Sequence, residues 1–359
     1  MPVCRLTADS IWNSFRSSGK RHLILTGMPG SGKTTLFSEL FPDSLPGITT
    51  WAESRRAVYM KDNRTDETVQ IAFYDDSIQG TRLKMVLWED VLCSFGIPAL
   101  NRCIQSDDEW VGIDEIGFLE ENCEDYKNVI RALFDHKHVA AVVRKQDLPF
   151  LNELRGRHDV FLVDLDQPFG NSGCVIMASG LGKRFGENKL MAEFMGRPMI
   201  CRILEETEGL FARRVVVTRH RSVADLCEQQ GIAVIFHDLP QRSDTIRLGL
   251  ATMSDVDRCV FCPGDQPLLK KDSIASLLLC SENHRDSIWR TCCNDVPGLP
   301  VLFPRWAFSE LLSLPEGKGG SYVIKKYPDK MGMLQISDPL ELADVDTKDM
   351  LELLKGNLS

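Results

Sequence analysis

Residues 22–36 read H-L-I-L-T-G-M-P-G-S-G-K-T-T-L: an apolar run, a loop with three glycines, then Lys33 and Thr34 opening a helical pattern. Positions 27–34 satisfy G-x-x-x-x-G-K-[ST] in full, in the strand-then-helix context that the pattern needs. Gly27, Gly30 and Gly32 let the backbone wrap a phosphate with its N–H groups, and the helix start adds positive potential. Gly27, Gly30, Ser31, Gly32, Lys33, Thr34 and Thr35 are the expected nucleotide-binding set. Lys33 reaches the β- and γ-phosphates, and Thr34 offers its hydroxyl to Mg²⁺. The competing reading is a glycine-rich turn that merely precedes a helix.

Working outward, Trp110-Val-Gly-Ile-Asp114-Glu115 is an apolar strand ending in two carboxylates. Beside a phosphate loop, Asp114 is expected to hold the Mg²⁺ shell and Glu115 to polarise the attacking water. Without such a loop, two acids after a strand read as a solvated loop start. Arg55, Arg56 and Arg144 could stabilise the γ-phosphate in trans, but most such arginines are surface charges, and none of the three is chosen. Further strands are expected at 69–74, 138–143 and 159–163, with helices at 34–41, 84–95 and 124–135. That alternation predicts a parallel sheet covered on both faces. Residues 164–173, rich in Pro, Gly, Asn and Ser, read as a linker.

After the linker the pattern restarts. Strands are expected at 174–178, 214–218, 232–236 and 258–262, and helices at 198–208, 221–229 and 243–253. The fold class is therefore α/β, with two three-layer domains spanning 1–168 and 172–359. The loop after the second opening strand reads M-A-S-G-L-G-K-R-F-G-E-N-K-L-M, residues 177–191. It is neither a second G-x-x-x-x-G-K-[ST] nor a dinucleotide fingerprint, because its glycines are wrongly spaced. Its cations Lys183, Arg184 and Lys189 nevertheless suit a triphosphate. Cys262-Pro-Gly-Asp265-Gln-Pro267 ends a strand and presents Asp265 at the carboxyl edge of the sheet, where open α/β folds bind ligands. Ala343-Asp344-Val-Asp346-Thr347 precedes the last helix, and either acid could complete a metal site. The alternative there is Thr347 capping the helix, with both acids in solvent.

Of 359 residues, 42 are Lys or Arg and 51 are Asp or Glu, a net charge of -9. That balance disfavours a nucleic-acid groove. No apolar run is long enough to span a membrane, and the first twenty residues lack a signal core, so a cytoplasmic protein is expected. The twelve cysteines then read as reduced, buried thiols. Cys259 and Cys262 lie three apart on a strand and point to opposite faces, which is awkward for one metal.

The first half, roughly 20–165, resembles the small nucleoside-triphosphatase family related to adenylate-type kinases, on TGMPGSGKTTL at 26–36 and GIDEIGFLE at 112–120. The resemblance implies NTP hydrolysis on a P-loop NTPase fold. The second half, roughly 173–355, resembles the MobA-like nucleotidyltransferases, in particular the molybdenum cofactor cytidylyltransferases. The segments that carry it are 177–191, PGDQPLL at 263–269, GLPVLFPRWAFSELLSL at 298–314 and DVDTKDM at 344–350. It implies a nucleotide-diphospho-sugar-transferase-like, Rossmann-like fold. The implied nucleotide site is Ala178, Ser179, Gly180, Gly182, Arg184, Lys189 and, near the base, Ser243. Lys189 neutralises the triphosphate, Asp265 binds Mg²⁺ with Asp346 (or Asp344), and Gly298 to Phe303 line the acceptor pocket. Catalysis is expected from Lys33, Glu115, Lys189 and Asp265. Ser179 departs from the usual A-A-G opening, and residues 316–322, E-G-K-G-G-S-Y, lack the Asp of the family's G-D-x-G-A/G-R element. The implied activity is transfer of CMP from CTP to molybdopterin or its molybdenum form, for delivery to an apo-molybdoenzyme. The alternatives are an NTP-switched maturation chaperone, and a transferase using GTP or a sugar phosphate.

Overall fold

The run at 22–26 becomes a fully buried strand of the computed structural model, which describes residues 6–53, 56–75 and 85–357. The chain divides into Gly19–Pro168 and a second unit made of Met1–Ser18 plus Phe169–Ser359.

In the Gly19–Pro168 unit the strands are β1 (His22–Thr26), β2 (Gly47–Glu53), β3 (Ala57–Asp62), β4 (Thr68–Tyr74), β5 (Met85–Leu87), β6 (Trp110–Ile116), β7 (His138–Val143) and β8 (Val160–Asp164). Their order in the sheet is β5-β4-β3-β2-β6-β7-β1-β8. Pairing is parallel from β2 to β8 and antiparallel from β2 through β3 and β4 to β5. The sheet is thus mixed, not wholly parallel as expected. The reason is the short connections: β3 turns into β4 through Asp66, whose φ is 61°, with Asp62 N–H donating to the Glu67 carbonyl at 3.0 Å. A turn that tight can only join antiparallel neighbours. The helix expected at 84–95 is a second difference. Residue 84 lies outside the described residues and Met85–Leu87 pairs with β4, so the helical run starts only at Glu89; it continues through the π-helical turn Leu92–Gly96 into the helix Ile97–Gln105, with Pro98 in its first turn.

In the second unit the strands are β9 (Ser172–Ala178), β10 (Glu193–Phe194), β11 (Arg197–Pro198), β12 (Arg213–Thr218), β13 (Val234–Phe236), β14 (Arg258–Pro263), β15 (Ile288–Cys293), β16 (Val296–Pro304) and β17 (Met331–Gln335). The main sheet runs β13-β12-β9-β14-β16-β15-β17. The chain leaves β9 towards β12 and β13, then returns to place β14 on the other side of β9, parallel to it. That reversal opens a crevice at the carboxyl ends of β9 and β14, the usual ligand position in such sheets.

The helix Ala8–Ser18 belongs to this second unit, which corrects the expected 1–168 boundary. Ile11 and Phe15 are buried, and the packing against the helix Lys271–Asn283 is close because serines face each other. Ser14 Oγ donates to the Ser276 carbonyl at 3.1 Å, and Ser276 Oγ donates to the Ser10 carbonyl at 3.0 Å. Thr7 Oγ1 adds a bond to Asp272 at 3.1 Å. Among the described residues eleven cysteines are free, all but Cys93 buried, and no helix is long and apolar enough to cross a membrane. Burial pushes the Cys259 thiol well up, and Cys262 Sγ lies 3.8 Å from Cys174 Sγ.

Candidate functional site

Between β1 and the helix Lys33–Leu40 the chain turns through Gly27, Gly30 and Gly32, with φ of 146°, 80° and 89°. A side chain at Gly27 would also strike Ser31 Oγ at 2.7 Å, so glycine is required there on both counts. Lys33 folds back over this loop and donates from Nζ to the Gly27 and Met28 carbonyls, each at 2.9 Å. Partial burial lowers its pKa, while Glu115, Asp166 and Asp114 pull the other way. Asp114, at the register shift in β6 two residues before its end, is buried, and one carboxylate oxygen, Oδ1, has no hydrogen-bond partner. Burial, then the Glu115 charge, raise it to about 6, against the Lys33 charge and a hydrogen bond from Thr34. A lone buried oxygen beside a threonine hydroxyl and a lysine fits a hard divalent cation. Glu115 has a φ of 87°, rare for a side-chain-bearing residue, and pairs with Arg144 Nε. Ser31 and Thr35 lie in the loop and the first helical turn, where the pattern put them. Arg55 is outside the described residues.

Asp166 belongs to this loop and was not anticipated. Its carboxylate accepts from Met28 N–H at 3.1 and 3.0 Å and from Lys145 Nζ at 3.1 Å. The available signal was the pair Asp164 and Asp166 at the end of β8, a repeat of the logic that exposed Asp114.

The second constellation lies at the β9/β14 crevice, around a cavity of about 540 Å³. Ser179, Gly180, Gly182, Lys183, Arg184, Lys189, Asp265, Asp344 and Asp346 all line it. Lys189 is almost wholly buried and its Nζ sits 2.6 Å from Asp265 Oδ2 and 3.0 Å from Asp346 Oδ1. Burial lowers the lysine pKa, but the two carboxylates outweigh it and the net shift is upward. Asp346 is held low by its bond to Lys189, with Arg184 Nη2 at 2.5 Å adding to the effect. Asp344 differs: it accepts from Gln266 Nε2 at 3.0 Å, and burial together with Asp265 and Asp346 raises its pKa. Of the two acids, Asp346 is the one that shares Lys189 with Asp265. The two carboxylates are hard oxygen donors held by one ammonium, which fits a triphosphate with its divalent cation. Among the described residues no three His, Cys, Asp or Glu side chains form a ready cage.

Ser179 is tied beneath the loop: its Oγ donates to the Val217 carbonyl at 3.1 Å and lies 2.8 Å from His237 Nε2. Two expected residues are not in the cavity lining. Ala178 is buried at the end of β9, its carbonyl accepting from Thr218 Oγ1 at 2.9 Å. Ser243 is fully buried and accepts from Arg247 Nη2 at 3.1 Å. Gln241, which caps the helix Arg242–Ala251, and Arg242 and Thr245 on that helix line the cavity instead.

Residues 22–168 match the family described as NTPase, and residues 174–331 match the family described as the MobA-like NTP transferase domain. Nucleoside-triphosphatase THEP1 of Thermotoga sp. (strain RQ2) is 30% identical over 156 residues, 42% of this chain and 89% of that protein. A probable molybdenum cofactor guanylyltransferase of Aquifex aeolicus is 28% identical over 116 residues, covering 32% of this chain and 55% of its own. The 3-deoxy-manno-octulosonate cytidylyltransferase of Alkalilimnicola ehrlichii is 34% identical over 123 residues, 32% of this chain and 45% of its own. The chain thus spans about half the length of these two transferase relatives. Among solved structures, Rv0371c from Mycobacterium tuberculosis H37Rv aligns over 52% of this chain and 98% of its own, at 21% identity and a TM-score of 0.46.

Proposed function

The chain joins a member of the nucleoside-triphosphatase family, residues 22–168, to a MobA-like NTP transferase domain, residues 174–331, and from that premise we propose that it transfers CMP from CTP to a molybdopterin-type acceptor while its first unit hydrolyses a nucleoside triphosphate. The observation that carries the transferase half of the proposal is Lys189 standing between Asp265 and Asp346 at a glycine-loop cavity.

In this reading the acceptor's terminal phosphate oxygen attacks the α-phosphorus of the NTP. A new P–O bond forms, the bond from the α-phosphorus to the α–β bridging oxygen breaks, and pyrophosphate leaves with that oxygen. No covalent enzyme intermediate is needed. Lys189, Lys183 and Arg184 cancel the repulsion between two polyanions, and the backbone of Gly180 and Gly182 fixes the phosphates in line. Mg²⁺ held by Asp265 and Asp346 supplies further charge neutralisation when bound; in the first unit Thr34 and Asp114 would hold its counterpart. There Lys33 moves from the loop carbonyls to the β/γ-phosphates, and Glu115 orients the water once Arg144 turns to the phosphate. The product would pass to an apo-molybdoenzyme in the cytoplasm, where the free thiols stay reduced.

GTP is a second reading, favoured by the guanylyltransferase relative. Incubation with each NTP in turn, Mg²⁺ and purified molybdopterin separates them, with pyrophosphate measured and the product weighed. A CMP adduct is expected. A GMP adduct moves the base, and tight cofactor binding without pyrophosphate leaves a maturation chaperone.

A further inference from the structure

The two carboxylates that flank Lys189 come from distant segments of the chain. Asp265 sits in the turn after β14, and Asp346 lies in residues 343–346, which belong to no helix or strand. Neither acid therefore emerges from a backbone that a sheet ladder holds. Yet Mg²⁺ accepts oxygen donors only in a near-ideal octahedron at about 2.0–2.1 Å. Two acids on irregular backbone meet that demand only if something else fixes their spacing.

Direct bonds between the two segments do so. Val345 N–H donates to the Asp265 carbonyl at 2.9 Å. Gln266 supplies two more, because its Nε2 donates to the Leu342 carbonyl and to Asp344 Oδ1, each at 3.0 Å. Both neighbours are acceptors, so only the NH₂ end of the amide fits there. Gln266 is 2% exposed, and its Oε1 is buried without a hydrogen-bond partner. An apolar side chain would avoid the penalty of that orphaned oxygen, so the amide is kept for its two N–H groups. Upstream, buried Glu341 anchors the same segment by accepting from Ser273 Oγ at 2.6 Å and from Lys270 Nζ at 2.9 Å. Residues 341–346 are thus pinned by Glu341 at one end and by Gln266 close to the other. The donor at 266 also has to be neutral. Lys189 already neutralises part of Asp265 and Asp346, and a second ammonium would cancel the charge that draws a cation in. A carboxylate at 266 could not donate at all.

We propose that Gln266 is a positioning residue for the metal-binding pair: its amide sets Asp346 against Asp265 at the spacing a small divalent cation requires, and leaves the charge of both acids intact. The proposal rests on the reading above for one point, that these two acids hold the cation.

The test uses the full chain, with Asp114→Asn throughout to remove the first unit's candidate ligand, and Mn²⁺ alone as the probe. Binding is read as the loss of free Mn²⁺ by electron paramagnetic resonance, with Asp265→Asn as the reference for a lost ligand. Gln266→Met should bind Mn²⁺ about tenfold more weakly at an unchanged melting temperature, since groups that orient metal ligands act on affinity at that scale. Pyrophosphate release supported by Mg²⁺ should fall more than release supported by Mn²⁺, a split that a general loss of packing does not produce. Gln266→Asn, whose shorter amide fits the same polar space but cannot reach both acceptors, should show an intermediate loss. It keeps the proposal testable should Gln266→Met fold poorly. Wild-type Mn²⁺ affinity in either folded variant, where Asp265→Asn loses it, overturns the role of Gln266 and leaves the metal pair standing. A wild type that binds Mn²⁺ no better than Asp265→Asn removes the metal pair, and the positioning role with it. Gln266-dependent Mn²⁺ binding in a protein that releases no pyrophosphate with any NTP sustains the positioning role and removes the transferase reading.

Discussion

Lys33 and Lys189 are both drawn in from solvent, and their surroundings treat them oppositely. Lys33 rests on carbonyls and is pushed down by burial, whereas Lys189 is clamped by two carboxylates and pushed up. Each is a point charge that a phosphate can take over. Lys33→Ala should therefore cut NTP hydrolysis by about a hundredfold or more, read as phosphate release, at an unchanged melting temperature. Glu115→Gln should still bind NTP by calorimetry but hydrolyse it slowly, since the amide keeps the shape and loses the carboxylate. Full turnover in that variant would move the catalytic base elsewhere. The residues legible in the sequence are those at strand ends, because a strand end fixes where the next side chains emerge: Asp114, Asp265 and the glycines follow from that rule. Ser243 was misplaced because the turn of a helix onto its sheet decides which face meets the cavity, and no local pattern sets that turn.

At the scale of elements, β1 carries a pH dependence. His22 is wholly buried, its Nδ1 accepts from Val139 N–H at 3.2 Å, and burial depresses its pKa to about 4, against the pull of Asp159. The unfolded chain binds this proton near 6.5 and the folded one only near 4, so stability present above pH 6.5 is lost as pH falls towards 4. Between pH 7 and 5 this amounts to ~2 kcal/mol. Asp114 and Glu120, raised to about 6 and 7, act in the opposite sense and flatten the profile of the whole unit. The difference between wild type and His22→Phe in urea unfolding isolates the histidine: the variant should gain ~2 kcal/mol relative to wild type on going from pH 7 to 5, and a constant difference would refute the assignment. The helix Ala8–Ser18 gives a second test. A chain starting at residue 170 lacks Ile11 and Phe15, each worth about 1.5–3 kcal/mol when buried. It should melt lower than a chain carrying residues 1–18, and a peptide of residues 1–18 added in trans should restore part of the loss. Equal melting temperatures would return that helix to the first unit. No local pattern marks this helix as an interface, because its serines gain their partners only from the facing serines of Lys271–Asn283, far along the chain. The strand expected at 69–74 is β4, but its neighbours β3 and β5 were not expected, and with them the antiparallel direction, although the Asp66 turn between β3 and β4 is short enough to dictate it.

The whole molecule holds two candidate nucleotide sites on two sheets, each sheet with its own core. The division into two α/β units was readable from the repeated strand-then-glycine opening, and its N-terminal limit was not. Two separate sites predict separable defects: Lys33→Ala should leave pyrophosphate release intact, and Asp265→Asn should leave NTP hydrolysis intact. A shared loss in either variant would mean one site depends on the other. The central claim is nucleotidyl transfer at Lys189, Asp265 and Asp346. Its most direct measurement is pyrophosphate release from CTP, Mg²⁺ and molybdopterin by wild type and Asp265→Asn, with thermal stability recorded for both. An amide oxygen replaces a full charge beside Lys189, so release should fall by about a hundredfold or more at an unchanged melting temperature. A normal release rate in a stably folded Asp265→Asn would contradict the account.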